Sequence, residues 1–161
     1  MRPVHDIAAA LAAHLAADNA LAEAAYAVPR IYLDAIGYNL PDDGRPVVYI
    51  HPSSDHGIVK GDRTGEVHVV VGLDSSVDAS GNSAASEQDE DGVYRVAAGD
   101  RLTRIVDAVI GAAKTALPGA DLQDADAEYD YAAMPDQYAT ITLSFVQIGT
   151  YQETQTWDAN Q

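Results

Sequence analysis

The chain is expected to form a single α+β domain, and three observations carry that expectation. Two segments repeat apolar residues at helical spacing, Val4 to Leu15 and Leu102 to Leu117. Several Val-rich or strictly alternating segments lie between and after them. The strand and helix signals do not alternate regularly, so they do not suggest a repeated βαβ pattern. At 161 residues the chain is large enough to bury roughly 70% of the surface its unfolded form exposes, so one core suffices. We expect a mixed or antiparallel sheet of about four to six strands flanked by two main helices, with a domain over 1–149 and a polar C-terminal arm over 150–161.

The elements follow in order. Pro3 suits a first helical turn, and Val4, Ile7, Ala8, Leu11 and Leu15 share one face of the helix that follows. Asp18 and Asn19 cap or break it, and Leu21 to Tyr26 adds one or two turns before Val28-Pro29. Twelve alanines among the first 27 residues let another backbone approach closely. Arg30 to Ile36 reads as a short strand, and Pro41-Asp42-Asp43-Gly44 as a turn. Val47 to His51 is a clearer strand, Ser53 to Gly65 a glycine-bearing loop, and Glu66 to Leu73 a Val-rich strand with Gly72 a candidate bulge.

Asp74 to Gly92 is polar, acidic and free of aromatic residues, and is expected to be an interstrand excursion leading to a strand at Val93 to Ala97. Asp100 is a good N-cap for the helix through Leu102, Ile105, Val106, Val109, Ile110, Ala113 and Leu117, which Pro118-Gly119 ends. The last ordered unit reads as a β-hairpin with its turn at Met134 to Gln137. In its first strand Asp124, Asp126, Glu128 and Asp130 alternate with Ala125, Ala127 and Tyr129, giving a carboxylate face and an apolar face. The return strand sets Ile141, Leu143 and Phe145 against Thr140, Thr142 and Ser144. The segment from Thr150 is polar apart from Tyr151 and Trp157. The single tryptophan is expected to dock on its own domain or on a neighbour.

Charge narrows the function classes. There are 19 Asp and 6 Glu against 7 Arg and 2 Lys, a formal net charge of -16. Such self-repulsion keeps a protein dispersed and destabilises its compact state, and molar salt, with a Debye length of ~3 Å, screens most of it. The scarcity of lysine favours an origin in salt-saturated cytoplasm, with GC-rich codons as the other source of the same bias. From Asp74 to Asp91 the residues Asp74, Asp78, Glu87, Asp89, Glu90 and Asp91 occur without a base, and no Lys or Arg follows Lys114. Polyanion binding requires bases to displace counterions, so both regions argue against a nucleic-acid-binding role. The absence of cysteine excludes disulfides and thiolate chemistry. Polar interruptions through residues 1–27 exclude a transmembrane span and a signal-peptide core there, so the protein is expected in the cytoplasm or in something assembled there.

No motif fixes a catalytic, metal or cofactor site, and none is assigned. His51-Pro52-Ser53-Ser54-Asp55-His56 gathers hydrolase residue types but has neither a nucleophile elbow nor a zinc spacing. Gly57 to Gly65 lacks the Gly-Lys-Ser/Thr ending of a phosphate loop. Asp89, Glu90 and Asp91 lack the twelve-residue calcium spacing and read as a solvated loop. Asp124, Asp126, Glu128 and Asp130 repel one another and should face water or a pore.

The order of elements carried by Ile7 to Leu15, Val47 to His51, Glu66 to Leu73, Leu102 to Leu117 and Glu128 to Ile148 resembles the tail terminator proteins of long-tailed viruses. The likeness covers nearly the whole chain and lies in order and length, with no catalytic residues to carry over. It implies a structural virion protein: a homo-oligomeric ring, expected to be a hexamer, that caps the tail tube, stops its polymerisation and joins it to the head connector in the neck. DNA would pass the ring without specific binding, with no membrane and no cofactor involved. On that reading the acidic strand face lines the lumen, while the excursion or the arm with Tyr151 and Trp157 reaches a neighbouring subunit. Another neck or head-completion component, or a small enzyme or ligand-binding domain using His51, Asp55 and His56, are the alternatives.

Overall fold

In the computed structural model the described residues are 4–25, 28–34, 40, 45–57, 62–74, 86–96, 100–115, 117, 119–132 and 136–147. The elements are α1 (Val4–Ala16), α2 (Asn19–Ala25), β1 (Arg30–Leu33), β2 (Val47–His56), β3 (Arg63–Asp74), β4 (Ser86–Gln88), β5 (Tyr94–Val96), α3 (Arg101–Thr115), β6 (Asp121–Asp130) and β7 (Asp136–Gln147). The fold is α+β, as the sequence indicates. One mixed sheet has the order β1-β2-β3-β7-β6, parallel between β1 and β2 and antiparallel elsewhere, and β4 and β5 form a separate two-stranded sheet. No helix among the described residues is long and apolar enough to cross a membrane. Asp78, Tyr151, Trp157 and the whole of the expected arm at 150–161 lie outside the described residues.

The alternation in β3 and β7 decides which way the sheet faces. They pair without interruption from Arg63↔Gln147 to Asp74↔Asp136. Val67, Val69, Val71 and Leu73 therefore share a face with Ala139, Ile141, Leu143 and Phe145. That face is covered by α1 and α3, whose Ile7, Leu11, Leu15, Leu102, Ile105 and Val109 complete the core. On the opposite face Val47, Tyr49, Val70 and Tyr138 form a small second cluster with Leu40 against it. No helix among the described residues packs on that face.

Caps and clasps join the helices to the sheet. Asp18 accepts a hydrogen bond from the Ala20 amide at 2.8 Å and starts α2. The buried Arg101 at the start of α3 donates from Nε to the Ala25 carbonyl at 3.0 Å, satisfying the last turn of α2 from 76 residues away in sequence. At the other end of the sheet, α1 begins against Gly65, where a Cβ would lie 2.9 Å from Val4 Cγ2 and 3.1 Å from the Ser54 carbonyl oxygen.

Three local expectations are revised. The segment Ser53 to Gly65 is not one loop. β2 runs to His56 and β3 starts at Arg63, because a register shift between Pro52 and Ser54 accommodates a proline that cannot donate to the ladder. Gly72 pairs in register with Val47 and Tyr138 and is no bulge. Its missing side chain instead leaves room for Leu40 and Tyr138, which a Cβ would meet at 2.8 and 2.9 Å. The expected excursion from Asp74 to Gly92 is not all loop: Asp74 closes β3, and Ser86–Gln88 forms β4.

Gly65→Ala should push α1 off the sheet and lower stability by roughly 1–3 kcal/mol, the usual cost of overpacking. Denaturant unfolding with an unchanged m-value would register it as a shifted midpoint.

Candidate functional site

The acidic row lies on β6. Asp124, Asp126, Glu128 and Asp130 are exposed and lie opposite Ser144, Thr142, Thr140 and Tyr138 of β7, while Ala125 and Ala127 on the other side pack against the core. No base stands opposite any of the four. Successive carboxylates sit about 7 Å apart on one strand face. At that spacing in water each neighbouring pair costs only about 0.6 kcal/mol. The row is therefore tolerable in solvent and softened by salt, whereas the same charges under a helix would unfold the strand.

The row is one end of a charge gradient across the open face. Beyond β7 lie Glu66, His68 and Val70 of β3, then Val47, Tyr49, His51 and Ser54 of β2, then Arg30 and Tyr32 of β1. His51 and His68 face each other edge to face with ring centroids 5.3 Å apart, and the Ser54 hydroxyl donates to Glu66 at 3.5 Å. Tyr32 stacks on Tyr49 with centroids 5.0 Å apart and planes 18° from parallel. Among the described residues no group of three or more His, Asp or Glu is placed to hold a metal ion.

The residues His51, Asp55 and His56 are not brought together. The register shift reverses the alternation, so Ser54 falls opposite Glu66 on the open face and Asp55 opposite Gly65 on the helix side. There Asp55 takes a two-pronged ion pair from Arg63, at 2.7 Å from Nε and 2.5 Å from Nη2, and accepts the first amide of α1, Val4 N, at 3.2 Å. This carboxylate also sits at the positive end of the helix. The Arg63 hydrogen bonds, then that of Val4, hold the Asp55 carboxyl below the usual carboxylate range. His56, the exposed end of β2, lies roughly 16 Å along the strand from His51.

The acidic run at Asp89 to Asp91 is the turn of a hairpin. Asp89 Oδ1 accepts from the amides of Asp91 and Val93 at 3.0 and 2.9 Å, and Gly92 takes a positive φ of 80°. Asp89 therefore holds the turn, while Glu90 and Asp91 project into solvent. The hairpin leaves Val93 and Tyr94 47% and 72% exposed. No family model matches this chain, nor does any curated protein.

Sequence reasoning missed the hairpin, the histidine pair and the second clasp of α1. In that clasp His5 Nε2 meets Asp34 Oδ2 at 2.8 Å, just where Asp34 ends β1 with a φ of 61°. The Asp-Glu-Asp-Gly sequence carried a usable signal for the hairpin turn, since Asp and Gly are turn residues.

Two pH effects follow. Asp55 has a lowered folded pKa, so its contribution is complete above the unfolded value of about 3.9 and is lost as pH falls through the lower folded value. Asp55→Asn should cost roughly 1–3 kcal/mol near neutrality. It should also flatten the acid limb of a stability-against-pH profile measured by denaturant unfolding. His5 titrates above the ordinary imidazole value, first through its hydrogen bond to Asp34 and then through that residue's charge. The clasp is complete below about pH 6.5 and fades as pH rises through the raised value. Ring-proton NMR titration should show His5 returning toward the ordinary value in Asp34→Asn.

Proposed function

We propose that this chain is a structural virion protein, a tail terminator whose ring caps the tail tube, stops its polymerisation and joins the tail to the head connector. The observation that carries the reading is the open sheet face with its row of four exposed carboxylates and no base on the neighbouring strand. A face of that kind repels a polyanion, which suits a passage that DNA must traverse without adhering. The projecting hairpin supports assembly as well. A two-stranded sheet is marginal by itself, and one that presents Val93 and Tyr94 to solvent gains stability by docking on a neighbouring subunit. The wide separation of His51 from His56, and the engagement of Asp55 in a clasp, lend no support to the hydrolytic alternative.

The test is native mass by light scattering in molar KCl, with micrographs of the same fraction and with purified tail-tube protein added. Rings, alone or on addition of tube protein, are the expected result, and deletion of 150–161 should weaken them. A monomer indifferent to tube protein would overturn the reading.

A further inference from the structure

The open face of the sheet sets two imidazoles side by side, and neither the core nor the clasps of α1 use them. His51 of β2 and His68 of β3 are direct register partners. Both are half-buried, and no helix among the described residues packs on their face. Opposed residues of antiparallel strands have Cβ atoms only about 4.5–5.5 Å apart, so the backbone holds the two rings together with no loop to order. Their centroids are 5.3 Å apart and their planes 78° from parallel. His51 Nδ1 lies 3.3 Å from the Pro52 carbonyl oxygen. A carbonyl can only accept, so Nδ1 carries the proton of the neutral ring and Nε2 keeps its lone pair. A backbone carbonyl on the far nitrogen is a common outer support of a metal-bound histidine.

We propose that His51 and His68 form a two-imidazole site for a zinc ion. Zinc–nitrogen bonds of about 2.0–2.1 Å at a tetrahedral angle put two imidazole centroids roughly 5 Å apart, which is the separation already present. Binding therefore requires the rings to turn and the strands to stay where they are. The protein supplies two ligands, and water completes the tetrahedron. The surroundings favour a cation. On this face the residues next to the pair along β2, β3 and β7 are Tyr49, Val70, Glu66, Thr140, Thr142 and Ser144, none of them a base. Glu66 brings a carboxylate, which accepts from the Ser54 hydroxyl, and the net charge of -16 concentrates cations at the whole surface. The ion would pin β2 to β3 just before the register shift that carries Asp55 to the helix side. The site is independent of the ring reading.

The probe is zinc nitrate, added to the full chain in molar potassium nitrate so that exposed carboxylates are screened and chloride does not compete for the metal. The pH is held at about 7.5, because protons compete with zinc for imidazole. The chain has no cysteine, so no thiolate can take the ion. Calorimetric titration should show a single tight zinc per chain. In NMR spectra of the wild type the ring protons of His51 and His68 should move together at the first equivalent, while those of His5, His14 and His56 stay in place. His51→Asn and His68→Asn should each weaken binding by roughly a hundredfold, the loss of chelation, and His14→Asn should leave it unchanged. Zinc should also raise the denaturant midpoint of the wild type and of His14→Asn, but not of the other two variants. Should a variant not fold, the wild-type spectra decide. If no zinc binds, if it binds while His51 and His68 do not move, or if the first equivalent spreads over all the histidines, the site is wrong and the ring reading is untouched.

Discussion

The unbroken twelve-residue pairing of β3 with β7 is the constraint on which the rest of the structure depends. Because strand side chains alternate strictly, that one register gathers most of the large apolar residues of both strands on a single face and leaves threonine, serine and histidine, with Val70 and Tyr138, on the other. The broader apolar surface is the one the helices cover, and α1 and α3 share it. The position of β6 follows. Paired to β7, it must turn Ala125 and Ala127 toward the helices and its carboxylates away from them. A slip of one residue would bury the four acids, so burial and charge repulsion specify the same arrangement.

Much of this was legible in the residues. The helix after Asp100, the first helix and the final hairpin each combine a clear period with a capping or turn residue, and each forms nearly where the pattern places it. The charge row was legible because side-chain parity within one strand needs no knowledge of the partner. The order of strands was not. β1 is four residues long and pairs parallel with a strand seventeen residues on, and nothing local distinguishes that partner from another. The change of sides at Ser54 and Asp55 was equally hidden. Proline and two serines suggest a loop, and only the opposing strand reveals that they form a bulge. The candidate triad failed for that reason: its members are close in sequence but divided by a reversal of parity.

Placement of the few basic residues separates internal cohesion from external charge. Arg63 binds Asp55 in a part-buried ion pair, and the buried Arg101 closes the end of α2. Charge-assisted bonds of this kind are only partly screened by salt, whereas repulsion among exposed carboxylates is strongly screened. The domain is therefore held together by contacts that persist in brine, while its surface potential varies with the medium. A chain of this composition can keep its fold across salt concentrations that alter which surfaces tolerate one another.

The bulge at Ser53 has an evolutionary consequence. Were the same residues paired without the bulge, simple alternation would carry Asp55 to the open face. The first amide of α1 would lose its acceptor, and Arg63 would be left beneath the helix without its carboxylate. Length change in this hairpin is easiest in the segment between His56 and Arg63, beyond the last paired residues, where added chain costs little. Descendants of this sequence should vary in length there and keep Asp55 opposite Gly65, on the side of α1.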